Sequence, residues 1–229
     1  MQLLCILGRQ PAIGLAELES RFGPADFQPL NNDIAQLETD QDIAVFTQIG
    51  STQKVAKLLT YLDTTDWNKA LRAVQKSLPD HLQYIPEGKV TIGLSTYGFN
   101  ASAQQVNAAA LSLKKVIKQA GRSARVVPNA EATLNTAQVI HNKLTSPNGL
   151  ELMLVRDKNR TVLAQTVWVQ DIDAYRQRDQ ERPMRDARIG MLPPKLAQII
   201  LNLAVGDLEQ DEISVLDPFC GTGVLLQEA

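Results

Sequence analysis

The stretch VLDPFCGTGVLLQEA, Val215–Ala229, decides how this chain is read. An apolar run closes on Asp217, a loop containing Gly221 and Gly223 follows, and helix-forming residues begin at Val224. Strand, glycine loop, helix is the opening of a doubly wound sheet, where ligands bind beyond the carboxyl ends of the strands. Glycines there let the backbone approach a ligand, and the N-terminus of the next helix favours a negative group. Two nucleotide signatures fail. A dinucleotide fingerprint needs a third glycine where Leu226 stands, and a phosphate-binding Walker loop needs a lysine where Val224 stands. A tight turn that merely needs glycine is the plain alternative, and the Asp-Pro-Phe ahead of the loop argues against it. Cys220 has no histidine near it in sequence and reads as a small loop residue, not a nucleophile.

Upstream of the loop, EISVLD (212–217) reads as a buried strand, and GMLPPKLAQIILNLAVG (190–206) reads as a helix. Pro193 and Pro194 fit its opening turn, where a missing N–H costs nothing, and Gly206 fits its end. Before that, DIDAYRQRDQERPMRDAR (171–188) is almost wholly polar with both signs of charge, and reads as a linker.

The remaining residues alternate short strands and helices. In the first sixty or so, QLLCILG (2–8), DIAQLET (33–39) and IAVFTQIG (43–50) read as strands, with helices over GLAELESRFG (14–23) and TQKVAKLLTYL (52–62). The second of these helices rests on Val55, Leu58, Leu59 and Leu62 sharing one face. A helix from Trp67 to Leu78 follows, with Thr64, Thr65 and Asp66 as capping candidates. Then come a strand (89–98), a helix (102–121), a strand (124–127), a helix (131–144) and two strands (150–155 and 161–170). The fold class expected is α+β.

At 229 residues, 44% of them hydrophobic, the chain can bury a substantial core in one large domain or two small ones. Its net charge of −2 provides no global positive field, so any nucleic-acid role must rest on a local patch. Cys5 and Cys220 cannot form a disulfide framework, which suggests a reducing compartment, and two histidines besides argue against a Cys/His zinc site. Nothing approaches the roughly 20 apolar residues of a membrane span. A cytoplasmic location is expected.

DPFCGTG resembles the first motif of S-adenosylmethionine-dependent amino-methyltransferases, which modify exocyclic amines of nucleobases. The resemblance implies that Gly221 and Gly223 pack against the methionine part of the cofactor. Asp217, Pro218, Phe219, Cys220 and Thr222 would shape the pocket around it. The longer string RDQERPMRDARIGMLPPKLAQIILNLA…VLDPFCGTG is similar to the THUMP-domain tRNA guanine-N2-methyltransferases, the group that acts on the guanine at tRNA position ten. LLCILGRQPAIGLAELESRFG resembles that family's ferredoxin-like N-terminal region. Residues from about Thr64 to Gln170, with LNTAQVIHNKL and TVWVQDIDAY, resemble its THUMP domain. The implied organisation is a ferredoxin-like region over 1–63, a THUMP domain over 64–170, a linker over 171–188, and the start of a Rossmann-like methyltransferase domain over 189–229.

That family holds its target amine with a D/N-P-P-aromatic motif, whereas the only Pro-Pro here is Pro193-Pro194. The acidic residue that grips the cofactor ribose stands about 20 residues past a glycine loop. The chain is therefore expected to be the front portion of a larger methyltransferase and not to turn over alone. A non-catalytic tRNA-binding module and a DNA amino-methyltransferase are the competing readings.

An RNA contact is legible in the helix from Ser102 to Ala120. At about 100° per residue, Val106, Ala110, Leu113, Ile117 and Ala120 form a core face, with Lys114, Lys115, Lys118 and Arg122 in another sector. With Arg125, the stretch Ala101–Val127 carries five positive charges and no acidic residue. Such a patch suits phosphates and supplies affinity rather than base specificity. A solvated helix face with cations near its C-terminus is the alternative. The THUMP resemblance implies that the docked partner is the tRNA acceptor end. Arg176, Arg178, Arg182, Arg185 and Arg188 are weaker candidates because Asp179, Glu181 and Asp186 lie among them. Trp67, Tyr97, Phe99 and Trp168 are candidate base-stacking rings.

Overall fold

A computed structural model describes residues 1–182, 191–206 and 213–229. The chain is a mixture of strands and helices that divides into two compact units, one of Met1–Gln53 with Gln170–Ala229 and one of Lys54–Val169. Among the described residues no helix is long and apolar enough to cross a membrane.

In the first unit β1 (Gln2–Leu7) pairs antiparallel with β3 (Ile34–Glu38), and β3 with β2 (Phe27–Asn31). Leu3, Leu37 and Ile34 are fully buried, and α1 (Pro11–Phe22) starts on a proline at its first turn and stops at Gly23, φ 84°. Strand β2 escapes a sequence reading because Pro29 interrupts it, and proline is tolerated in the edge position it occupies. Residues 43–50, expected to be a strand, instead form a 3₁₀ helix over Ile43–Gln48. The Asp42 carboxylate accepts the Ala44 N–H at 2.8 Å and turns the backbone, while Phe46 plugs the core. Helices α5 (Ile172–Gln180), α6 (Pro194–Val205) and α7 (Val224–Glu228) complete the unit. The supposed linker therefore contains a helix, capped by Asp171, whose carboxylate accepts from Asp173 and Ala174. Arg185 and Arg188 lie outside the described residues.

The second unit orders its strands β4-β8-β7-β5-β6, where β4 is Thr52–Leu62, β5 Val90–Tyr97, β6 Ala124–Val126, β7 Gly149–Arg156 and β8 Thr161–Val169. Strand β5 is parallel to both β6 and β7, and the turn over 157–160 makes β7 and β8 an antiparallel hairpin. The helix expected at 52–62 is thus a strand, β4, paired with β8 from Lys54↔Val169 to Leu62↔Thr161. Two register shifts, at Val55/Ala56 and Leu58/Thr60, break its strict alternation and leave an apolar spacing that mimics a helix. Helices α2 (Trp67–His81) and α3 (Ala103–Gln119) pack through Val74, Leu78, Val106, Leu113 and Ile117 onto Ile92, Leu94 and Leu152. Ala120, expected in the core face of α3, is exposed, because the helix ends there ahead of Gly121. The short α4 (Thr136–His141) covers the opposite face beside Gly93, where a Cβ would meet Leu134 at 2.5 Å.

On that opposite face lies a buried polar network. Lys54 Nζ donates to Glu151 at 2.8 Å and to the Leu134 carbonyl at 2.9 Å. Ser95 donates to the same carboxylate at 2.6 Å and Thr166 at 2.5 Å. The Ser95 hydroxyl accepts from the Leu134 N–H, so the backbone of Leu134 is committed and α4 begins later than the expected 131. Burial pulls the Lys54 ammonium down, but Glu151 and the Tyr97 hydroxyl outweigh it and leave its pKa above the ordinary lysine value. Lys54→Met should cost about 3–5 kcal/mol in urea unfolding, since it strands a buried carboxylate. A raised lysine pKa adds stability present in full below the unfolded value of about 10.4 and lost as pH rises through the folded one. The gap between wild type and K54M should therefore hold through neutral pH and narrow in strong alkali as the lysine deprotonates.

Candidate functional site

The seven residues Asp217–Gly223 form one continuous turn. Asp217 Oδ1 accepts the Phe219 N–H at 3.0 Å, and the Cys220 carbonyl accepts the Gly223 N–H at 2.7 Å. Gly221 (φ 50°) and Gly223 (φ 76°) are both left-handed, and Gly223 caps the start of α7. A Cβ on Gly223 would touch nothing within 4 Å, so glycine is required there by backbone conformation rather than by crowding. Cys220 is a free, exposed thiol and Phe219 is 91% exposed. Residues 213–217, expected to be a buried strand, are not one: Ile213 and Val215 are each 38% exposed, and Leu216 is 88% exposed. A strand needs a neighbour for its N–H and C=O groups, and none of the described strands pairs with this segment.

Two side-chain clusters hold the elements around this turn. Arg178 of α5 reaches Glu228 of α7 at 3.1 Å and lies 4.4 Å from the Tyr175 ring. Lys195 of α6 lies over the same ring at 5.1 Å, and the Tyr175 hydroxyl donates to Gln198. Burial pushes the Tyr175 phenol up to about 12 and the Lys195 ammonium down. The second cluster centres on Glu17, which is fully buried in α1. Its carboxylate accepts the Gly50 N–H at 2.9 Å, the Ser51 N–H at 2.8 Å and the Asn202 side-chain amide at 2.6 Å. Asn202 also donates to the Gln48 carbonyl at 2.7 Å, and Ser20 donates to the Asn202 carbonyl. Helix α6, which precedes the glycine turn, is thereby fastened to α1. Gly50 admits α6 at this point, where a Cβ would meet the Lys195 carbonyl at 2.5 Å. A cavity of about 400 Å³ beside it is lined by Gln48, Gln198, Asn202, Val215 and Glu228. Glu17 was findable in sequence: Gly14, Glu17, Leu18 and Arg21 share the spacing of one buried helix face.

The five candidate RNA-contact cations, Lys114, Lys115, Lys118, Arg122 and Arg125, fall into two groups. Lys115 and Lys118 are exposed on α3 and Lys114 is half-buried; no ion pair engages them among the described residues. Arg122, read from sequence as one of the same row, donates to the carbonyls of Leu82 (3.1 Å), Ile85 (2.8 Å), Pro86 and Gly88 (3.1 Å). Arg125 donates to Asn142 at 2.6 Å. Of the candidate stacking rings, Trp67 and Phe99 pack edge to face at 5.5 Å against the core. Tyr84, which sequence reasoning passed over, is 77% exposed.

The chain matches no protein-family model and no curated protein. Among solved structures its fold is similar to TrmN from Thermus thermophilus, with a TM-score of 0.56 at 15% identity, over 99% of this chain and 60% of that one. The chain thus spans less than two thirds of TrmN. A predicted N6-adenine-specific DNA methylase from Listeria monocytogenes (TM-score 0.45, 15% identity, 99% of this chain and 53% of that one) is a weaker likeness. So is a 4-thiouridine synthetase in complex with RNA and ATP (0.43, 10%, 74% and 41%). Scores that low say nothing about this chain.

Glu17→Leu should cost at least about 3 kcal/mol, because it leaves two backbone N–H groups and one of the two Asn202 amide N–H groups buried without an acceptor. Urea unfolding measures the loss, and amide hydrogen exchange at Gly50 and Ser51 should quicken in the same variant.

Proposed function

We propose that this chain is the tRNA-docking portion of an S-adenosylmethionine-dependent methyltransferase that modifies the exocyclic N2 of guanine, at tRNA position ten. The observation that carries the reading is the Asp217–Gly223 turn: a DPFCGTG motif folded with two left-handed glycines ahead of a helix. The side of the turn at Gly223 is open, so a Cβ-free backbone can lie against the methionine part of the cofactor. When bound, that cofactor supplies an electrophilic methyl group on a sulfonium. The residues of this chain would hold it: Gly221 and Gly223 by close backbone approach, and Asp217 by fixing the turn through its bond to Phe219. The fold likeness to TrmN, and the resemblance of the second unit to THUMP domains, support RNA as the substrate. Lys114, Lys115 and Lys118 supply the phosphate contacts on this reading.

A filter-binding titration with tRNA carrying or lacking its 3′ CCA end, repeated across a salt series, tests the proposal. Affinity should fall steeply with salt and drop when the CCA end is removed. Lys115→Ala with Lys118→Ala should flatten the log–log salt slope by about 1–2, near 0.7–0.9 for each phosphate that is no longer neutralised. Binding indifferent to the CCA end, or a preference for duplex DNA over tRNA, would overturn it.

A further inference from the structure

The loop after α2 carries an aromatic ring out in solvent. Tyr84 is 77% exposed, and the backbone on either side of it is tied down by one guanidinium. Arg122 donates to the carbonyls of Leu82, Ile85, Pro86 and Gly88 and so holds in place the backbone from which Tyr84 projects. Beside the ring opens a cavity of about 260 Å³ whose floor is Leu59, Leu78, Leu152 and Leu163. Its rim is polar. The His81 ring lies 6.2 Å from Tyr84, and its Nε2 shares a hydrogen bond with Gln165 Oε1 at 3.0 Å. Asp80 and Gln83 complete the rim beside them.

We propose that this cavity takes a single unstacked nucleobase of an RNA strand, with Tyr84 as its stacking face. The inference rests on the proposed RNA-docking function and adds a base-binding site to it. The volume lies below the roughly 300–1,000 Å³ of drug-sized ligand pockets, which suits one planar ring system rather than a dinucleotide. An apolar floor, an exposed π-face and a few rim groups that both donate and accept are what an extruded base needs. Asp80 disfavours a phosphate within the cavity and can accept from an exocyclic amine or a ribose hydroxyl, so the base and not the backbone enters. Phosphate contacts lie outside the rim. Lys118 stands one helical turn ahead of Arg122 in the chain, and exposed Lys57 registers with Gln165 on the adjoining strand. Arg122 is a positioning residue, not a phosphate contact.

The test pairs RNA binding with direct observation of the rim. Tyr84→Ala should weaken tRNA binding about ten-fold, within the range for losing one base stack, while leaving the log–log salt slope unchanged. Tyr84→Phe should retain the affinity. Arg122→Gln, which removes the fork and the charge together, should lose affinity without changing the slope; a slope reduced by about one would make Arg122 a phosphate contact instead. In NMR, adenosine and cytidine monophosphates should shift the His81 and Tyr84 ring signals, and ribose 5-phosphate should not. Intact tRNA binding in Tyr84→Ala overturns this site and leaves the docking function standing. Ring shifts with nucleotides in a protein that binds no tRNA would do the reverse, and neither response would remove both.

Discussion

A buried carboxylate held by amide donors organises the unit that carries the glycine turn. Glu17 is fully buried, and its oxygens are occupied by two backbone N–H groups and one side-chain amide. Bonds from neutral donors to an ionised acceptor are stronger than neutral pairs. They are also geometrically demanding: Gly50 and Ser51 must present consecutive N–H groups, and Asn202 must arrive from α6. Because those donors come from two separate parts of the chain, the 50–51 turn and α6, the carboxylate fixes where α6 lies on α1. The glycine turn inherits its position from that helix and from the Arg178–Glu228 pair that holds α7 to α5.

The second unit solves the same problem differently. Glu151 has a cation, Lys54, together with two hydroxyl donors, and the lysine's remaining capacity goes to a carbonyl and the Tyr97 ring 6.0 Å away. A buried pair of this kind adds little net stability over apolar residues of the same volume, but losing one partner is costly. Its effect is on register. Lys54 lies on β4, Ser95 on β5, Glu151 on β7 and Thr166 on β8, so a slip of one residue in any of these strands would point its polar group to the wrong face.

What could be read from sequence divides along a physical line. Features decided by local backbone chemistry were legible: Asp66 among the helix-cap candidates, Pro194 and Gly206 bounding α6, and Gly221 with Gly223 in the turn. Features decided by partners distant in sequence were not. Strand β4 has a helical apolar spacing because its bulges are set by pairing with β8, about a hundred residues on. The run 213–217 has the composition of a buried strand and lacks a neighbour among the described strands. Arg122 lies in the same helical sector as the lysines, and only the fold reveals that the loop carbonyls of 82–88 claim it. The cationic row is accordingly shorter than its sequence suggests, and its last member works on backbone rather than on solvent.

That reassignment changes what the second unit can contribute to recognition. Three lysines along one helix supply a salt-sensitive attraction that any phosphate backbone satisfies. A tyrosine held beside a small apolar cavity supplies a largely salt-insensitive term that requires a base free of its stack, which a continuous duplex does not offer. Arg122 joins the two, since it follows the lysine helix in the chain and fixes the tyrosine loop. Neither term reads a particular base strongly: phosphates carry no sequence, and every base has a π-face. On the proposed reading, a duplex that ends in a single strand would satisfy both terms and a continuous duplex only the first.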